Sequence, residues 1–107
     1  MPVSIASLNF YAKVAEVVEQ PVSPGQNVFS QPAVNPVNGF VYVTLKSDVN
    51  NTVYITVNGK VYEANSGIPL TGGAGYTFKI PASGGALINV YFENRATVTV
   101  TIEARNI

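Results

Sequence analysis

The sequence of 107 residues contains no histidine and no cysteine, and these two absences exclude most catalytic chemistry. Without histidine the chain lacks the commonest general base and one member of every Ser-His-Asp triad. Without cysteine it can form neither a disulfide nor a thiolate metal site, and zinc loses its usual ligands. We therefore expect a protein that is not an enzyme and that binds no metal and no cofactor.

The carboxylates of the chain favour neither a calcium site nor a glycosidase active site. Asp48 is the single aspartate, so the turn-forming segment SDVNNT offers too little charge for calcium. A glycosidase needs two carboxylates across a cleft. Glu63 and Glu103 instead alternate with apolar residues on predicted strands, so we expect both to face solvent.

Charge of either sign is scarce, because charged residues make up 11% of the chain and six basic residues balance six acidic ones. No basic patch is available to neutralise phosphates, so we expect no nucleic-acid partner. No run approaches the ~18 apolar residues of a membrane helix, so no membrane insertion is expected. The N-terminus, MPVSIASLNF, has no basic region, so no secretory signal is predicted. Neutrality and a 47% hydrophobic content favour a protein that works inside an assembly.

Alternation with period two dominates the chain from Gly39 onward and predicts half-buried strands. In GFVYVTLKSDV it places Val41, Val43 and Leu45 on the core side. The same alternation assigns to the core the residues Ile88, Val90, Phe92, Val98, Val100, Ile102 and Ala104. It places Tyr76, Phe78 and Ile80 together on one side of a further short strand.

The dipeptide Asn58-Gly59 lies between two alternating runs in TVYITVNGKVYEA. It predicts a type I′ hairpin turn, because both central residues of that turn need positive φ. A two-residue turn pairs Val57 with Lys60, Ile55 with Tyr62, and Val53 with Ala64. This register turns one row inward, made of Val53, Ile55, Val57 and Tyr62.

The C-terminal stretch RATVTVTIEARNI is the most regular strand in the sequence. We expect residues 86–92 and 96–104 to form a second hairpin, with an outer row made of Thr97, Thr99, Thr101 and Glu103. The other side of this last strand would then be an unpaired edge. Arg105 and Ile107 would lie at the end of a contact strip for a partner.

The N-terminal segment SLNFYAKVAEVVEQ is compatible with two structures. A helix would align Leu8, Tyr11, Ala15 and Val18. A strand would alternate Leu8, Phe10, Ala12 and Val14 against their neighbours, and the β character of the rest of the chain favours it. We divide the chain into an N-terminal segment, 1–20, that could act as an assembly arm, and one sandwich domain, 21–107.

Short strands separated by turns rich in glycine and proline predict an all-β fold. The expected architecture is an antiparallel β-sandwich of jelly-roll or immunoglobulin-like type, preceded by an extended or short helical N-terminal segment.

Two resemblances follow from these residues. PVSPGQNV, YITVNGKVY and ATVTVTIEARNI resemble parts of the trimeric jelly-roll heads of C1q and tumour necrosis factor, although this chain is shorter and lacks counterparts to several of their strands. The whole chain, rich in Thr, Asn, Gly and Val, resembles small virion surface proteins of the decoration, head-fibre or minor capsid type. These resemblances imply a structural protein that forms homo-oligomers on a particle.

Three tyrosines, Tyr42, Tyr54 and Tyr91, are predicted on faces opposite the core, where such rings can anchor a protein interface or stack on sugars. Leu8 and Phe10 would let the N-terminal arm dock on a neighbouring subunit. We therefore expect a non-enzymatic assembly protein in a virion or an extracellular assembly. A carbohydrate- or ligand-binding module and an extracellular filament subunit are the alternatives, and the first would have a glycan as partner.

Overall fold

The structure, a computed structural model, describes residues 11–29, 33–63 and 67–105. These ranges contain nine strands and no helix. The strands are β1 (Tyr11–Val22), β2 (Ala33–Val34), β3 (Phe40–Ser47), β4 (Asn51–Val57), β5 (Lys60–Val61), β6 (Ile68–Leu70), β7 (Gly75–Pro81), β8 (Ala86–Phe92) and β9 (Ala96–Arg105).

The strands form two antiparallel sheets, as the sequence predicts for an all-β sandwich. The first sheet has the order β1-β9-β3-β7. The second has the order β2-β8-β4-β5, and β6 pairs with the part of β4 that β5 leaves free.

The core lies between the sheets and contains the inward rows that alternation assigned to it. It also includes residues that alternation did not assign, among them Val22, Phe29, Val34 and Leu70. Val41, Val43 and Leu45 are at most 1% exposed. The prediction for β8 and β9 is confirmed as well, because Ile88, Val90, Phe92, Val98, Val100, Ile102 and Ala104 are all buried. Tyr76 and Phe78 point the same way from β7 but are only partly buried, since β7 is an edge strand.

The predicted Asn58-Gly59 hairpin is confirmed at its tip. Both residues have positive φ, 52° and 83°, and Val57 pairs with Lys60 as expected. The Tyr62 N–H donates to the Ile55 carbonyl at 2.8 Å, as the predicted pairing of these two residues requires. Farther from the turn, Val53 pairs with Ile68 of β6, and its predicted partner, Ala64, lies outside the described residues. The short β5 ends after Val61, and a second segment completes the edge of the sheet.

Replacing Gly59 by alanine should lower the free energy of unfolding by about 1 kcal/mol. The φ of 83° places this residue in the left-handed region, where a Cβ atom is sterically unfavourable. Urea denaturation measures the change. Gly75→Ala is the matched control, because Gly75 lies in a strand with open space around its Cα and should tolerate alanine. Equal losses in both variants would contradict the prediction.

The predicted hairpin between residues 86–92 and 96–104 does not exist. β8 belongs to the second sheet, where it pairs with β4, whereas β9 lies in the first sheet between β1 and β3. Residues 93–95 carry the chain from one sheet to the other. Both arrangements bury the same side chains, so alternation could not distinguish them. β9 is consequently an interior strand that pairs with β1 on one side and with β3 on the other. The prediction of an unpaired edge on this strand is therefore wrong.

The described part of the N-terminal segment is a strand, not a helix. β1 pairs with β9 from Tyr11 opposite Arg105 to Val22 opposite Ala96, so it crosses the predicted boundary at residues 20/21. Val14 packs against the core as the strand alternative predicts. Val18, expected on a helical stripe, is instead 59% exposed. Leu8 and Phe10 lie outside the described residues, as does Ile107.

At one end of the sandwich, the buried side chain of Asn51, the first residue of β4, links three segments of the chain. It is 5% exposed. Its Oδ1 accepts the N–H groups of Thr52 (2.8 Å) and Asn94 (2.9 Å), and its Nδ2 donates to the Asn94 carbonyl (3.0 Å) and to Ser47 Oγ (3.3 Å). A single amide thus joins the end of β3, the start of β4 and the β8–β9 connection.

Candidate functional site

Because the core fills the space between the sheets, any functional surface must lie on their outer sides or at their edges. We call the outward residues of β1, β9, β3 and β7 the first face. We call the outward residues of β8, β4, β5 and β6, together with Asn27 beside β8, the second face. Asn27 belongs here because it forms an isolated bridge with Tyr91.

The first face contains most of the positive charge of the chain. Four of the six basic residues project from it, namely Lys13, Lys46, Lys79 and Arg105. Glu16 and Glu103 lie on the same face, and Lys13 forms an ion pair with Glu16 at 3.0 Å. Glu16 and Lys13 are both well exposed, so this pair contributes little to stability.

Two cations at one end of the first face lie over aromatic rings. The Arg105 guanidinium is 4.2 Å from the centroid of the Tyr42 ring, and the Lys79 ammonium is 4.3 Å from that of Phe40. The sequence prediction named Tyr42 and Arg105 separately, and the fold brings them together. Because Arg105 covers one side of the Tyr42 ring, that side is not open to a sugar.

Glu103 departs from the sequence prediction, which placed it in solvent. It faces outward but is only 8% exposed. It lies between Lys13 of β1 and Tyr42 of β3 in the sheet register, and the Tyr11 hydroxyl donates a hydrogen bond to it. That hydrogen bond, with burial, raises the pKa of Tyr11 above its ordinary value. Long neighbouring side chains therefore cover this carboxylate, which a period-two pattern could not indicate.

The second face has a different composition, because none of its described strand residues is charged. Charged residues lie only at its rim: Glu93 follows the end of β8, Lys60 is at the hairpin turn, and Glu63 lies beside Gly67 and Pro69 at the β6 edge. The face consists of Asn27, Thr52, Tyr54, Thr56, Val61, Gly67, Pro69, Leu87, Asn89 and Tyr91.

Tyr54 and Tyr91 form the centre of the second face as a cross-strand pair. Gly67 lies against Tyr54 from the other side, and a Cβ atom there would be 2.9 Å from Tyr54 Cζ. Beside Tyr91, the Asn27 amide donates to Asn89 Oδ1 at 3.0 Å. The tyrosine rings are half-buried and held by their neighbours, which limits the side-chain entropy that a contact would cost.

The three predicted tyrosines therefore do not form one site. Tyr54 and Tyr91 are adjacent on the second face, and Tyr42 is on the opposite side of the molecule. The charge-free character of the second face was not predicted, although the signal was present in the sequence. The β4 sequence NTVYITV and the β8 sequence ALINVYF contain no charged residue.

The part of the chain that the structure describes contains neither a cluster of metal-binding side chains nor a membrane-spanning helix. No three histidine, cysteine, aspartate or glutamate side chains gather there as a metal site. Residues 11–29, 33–63 and 67–105 also contain no helix long and apolar enough to cross a membrane. Comparison with known proteins adds no relative, since no protein-family model matches the chain and no curated protein matches it significantly.

Proposed function

We propose that this chain is a non-enzymatic structural protein that assembles by contact of the second face with the same face of a second copy. The observation that carries the proposal is the absence of charge among the described strand residues of that face, around the Tyr54–Tyr91 pair. Interface centres are depleted in charged residues and enriched in tyrosine. A single exposed apolar side chain, by contrast, is common on protein surfaces and would not indicate an interface.

Charge also favours a second copy as the occupant. A two-fold contact places each patch against itself, so any charge on the patch meets a like charge. The second face avoids most of this cost because the charged residues near it, Lys60, Glu63 and Glu93, lie at the rim. If two copies met through the first face, Arg105 and Lys79 of one copy would lie near Arg105 and Lys79 of the other, and these like charges would repel. Of the two faces, the second is therefore better suited to self-association.

We further infer that the sandwich is of jelly-roll type. The support is the nested order of its ladders, in which β1 pairs with β9, β2 with β8, β3 with β7 and β4 with β6. Successive pairs alternate between the two sheets, as in a single antiparallel ribbon wound around a core. In an immunoglobulin-like fold, by contrast, the first two strands are neighbours in one sheet. Here β1 and β2 belong to different sheets.

A virion surface or capsid is the setting that we propose for this assembly. A neutral, β-rich chain whose outer face can meet its own copy suits a lattice or a closed oligomer. The filament alternative requires a second, different contact in addition to the two-fold one, so that growth does not close. Native mass distinguishes the two, because a closed oligomer reaches a limiting mass and a filament keeps growing with concentration.

The test is the substitution Leu87→Lys, which adds a charge to the second face. Leu87 is 39% exposed, so lysine should not perturb the fold. We expect self-association to weaken by about tenfold or more, because each two-fold contact would then contain two added positive charges. Multi-angle light scattering over a concentration series measures the change.

The matched control is Val49→Lys. Val49 is also exposed, at 42%, but it lies in the β3–β4 turn and away from the second face. The control variant should self-associate like the unmodified protein. A wild-type chain that remains monomeric at every concentration would overturn the proposed function, as would equal weakening in both variants.

A second candidate function is binding of a glycan at the second face. The observation that favours it is the Asn27–Asn89 amide pair beside the partly exposed Tyr91 ring. Amide groups bind sugar hydroxyls while an aromatic ring contacts the apolar side of the sugar. Self-association would cover this surface, so the two functions compete.

A further inference from the structure

An irregularity in β1 opens a cleft on the first face. The register between β1 and β9 shifts between Val17 and Gln20, so β1 contains a bulge there. Within the bulge Glu19 adopts a φ of 47°, which is uncommon for a residue other than glycine, asparagine or aspartate. Bulges are frequent beside binding sites, where they redirect a side chain.

The cleft has a volume of about 240 Å³. It is lined by Glu19 from β1, Lys46 from β3, Asp48 from the following turn, and Thr97 and Thr99 from β9. Five polar side chains from three strands and a turn thus converge on one depression. The proposed assembly surface includes none of these residues.

Several polar atoms of the cleft remain free to bind a ligand. Asp48 Oδ1 accepts the Thr97 N–H at 2.9 Å, which leaves the other carboxylate oxygen available. Thr99 Oγ1 accepts the Glu19 N–H at 3.2 Å, so its hydroxyl proton is still available to donate. In the described part of the chain the ion pair found is Lys13–Glu16, so Lys46 pairs with neither carboxylate of the cleft.

The mixed charges of the lining restrict the chemistry of the ligand. Two carboxylates repel an anion, and the Lys46 ammonium repels a cation. A hydroxyl group can donate to a carboxylate and accept from an ammonium group, so neighbouring hydroxyls satisfy both signs together. We propose that this cleft binds a neutral polyhydroxylated ligand, namely a single sugar ring.

The size of the cleft agrees with this class of ligand. Pockets for drug-sized molecules occupy about 300–1,000 Å³, so 240 Å³ suits one ring rather than an extended chain. The described lining contains no aromatic ring on which a sugar could stack. Binding would therefore rely on hydrogen bonds alone, and the affinity would be low. We therefore expect millimolar dissociation constants, typical of a site that gains strength when several copies are displayed together.

The cleft and the proposed assembly surface are on opposite sides of the sandwich. Sugar binding at the first face therefore goes beyond the proposed function and does not depend on it. Leu87→Lys should weaken self-association without changing sugar binding. In the same way, a variant of the cleft should lose sugar binding without changing the oligomer mass.

The test is a titration of the ¹⁵N-labelled protein with the methyl glycosides of glucose, galactose and mannose, followed by amide chemical shifts. We expect at least one glycoside to shift the amide signals of Glu19, Thr97 and Thr99. Thr99→Val keeps the branched shape but removes both the hydroxyl donor and the acceptor of the Glu19 N–H. In this variant the dissociation constant should rise about tenfold. Thr101→Val is the matched control, because Thr101 is the next outward residue on β9 and does not line the cleft.

Several results would overturn the proposal. The proposal fails if none of the three glycosides shifts these amides, or if Thr99→Val binds as well as the control variant. It also fails if glycine, a zwitterion used as a separate probe, shifts the same signals with higher affinity than any sugar. Shifts confined to Tyr91, Asn89 and Asn27 would also overturn it, and would support the glycan alternative at the second face.

Discussion

The substitution Phe92→Ala should lower the free energy of unfolding by about 3–5 kcal/mol, the usual cost of removing a buried phenylalanine ring. Phe92 is completely buried and is the largest of the fully buried side chains. It ends β8 opposite Val53 of β4, at the point where the chain leaves the second sheet for the first. Loss of the ring leaves a cavity against the first sheet that rigid strands cannot close.

Urea denaturation followed by tyrosine fluorescence or circular dichroism measures this loss. Leu87→Ala on the same strand is the control, because Leu87 faces outward and should cost less than about 1 kcal/mol. Native proteins have a total stability of about 5–15 kcal/mol, so this loss is a large fraction of the total. A loss below that of the control would show that the ring does not support the core.

The substitution Asn51→Ala should have the next largest effect, a loss of about 3 kcal/mol. Alanine removes four hydrogen bonds at a site that water hardly reaches. Both backbone groups of Asn94 and the Thr52 N–H would then lack the partners that they have now. Buried polar groups without a partner cost about 1–3 kcal/mol each, although some will relax toward solvent.

The neighbouring asparagine provides the matched control. Asn50 lies in the exposed turn, where its Oδ1 accepts one hydrogen bond from Gly72 N–H at 2.9 Å. Asn50→Ala should therefore cost less than about 1 kcal/mol. Equal effects of the two substitutions in thermal or urea unfolding would refute the role assigned to Asn51. The two residues are adjacent in sequence and chemically identical, so the comparison isolates burial.

The sequence predicted which side of each long strand enters the core. Val41, Val90 and Val100 illustrate this, because each lies in an alternating run and each is fully buried. The period-two pattern reports the contact between a strand and the core, and this contact is a local property. The Asn58-Gly59 turn was predictable for a similar reason, since its positive φ values depend on two adjacent residues.

Apart from the β4–β5 hairpin at Asn58-Gly59, the sequence did not predict which strands pair. The run from Ala96 to Arg105 has the same alternation whether β9 is an edge beside β8 or an interior strand between β1 and β3. The connection at residues 93–95 is short enough for a hairpin, and the simplest pairing was the wrong one. Partner choice depends on how all strands close around one core, and no single segment encodes it.

The candidate surfaces were predictable only in part. Sequence alternation placed Tyr54 and Tyr91 outside the core, but only the β4–β8 register made them neighbours. The cleft could not have been found in this way. It depends on the bulge at Glu19, which brings together residues that are far apart in the chain and belong to different strands.

The central position of β9 has a consequence for how the chain folds. β9 joins β1 to β3, so the first sheet remains in two parts until residues 96–105 are in place. Its ladder with β1 connects the two ends of the described chain, from Tyr11 to Arg105. Contacts this distant in sequence close large loops and slow the folding of β proteins to milliseconds or seconds. On the ribosome, the first sheet could not be completed before residues 96–105 had emerged.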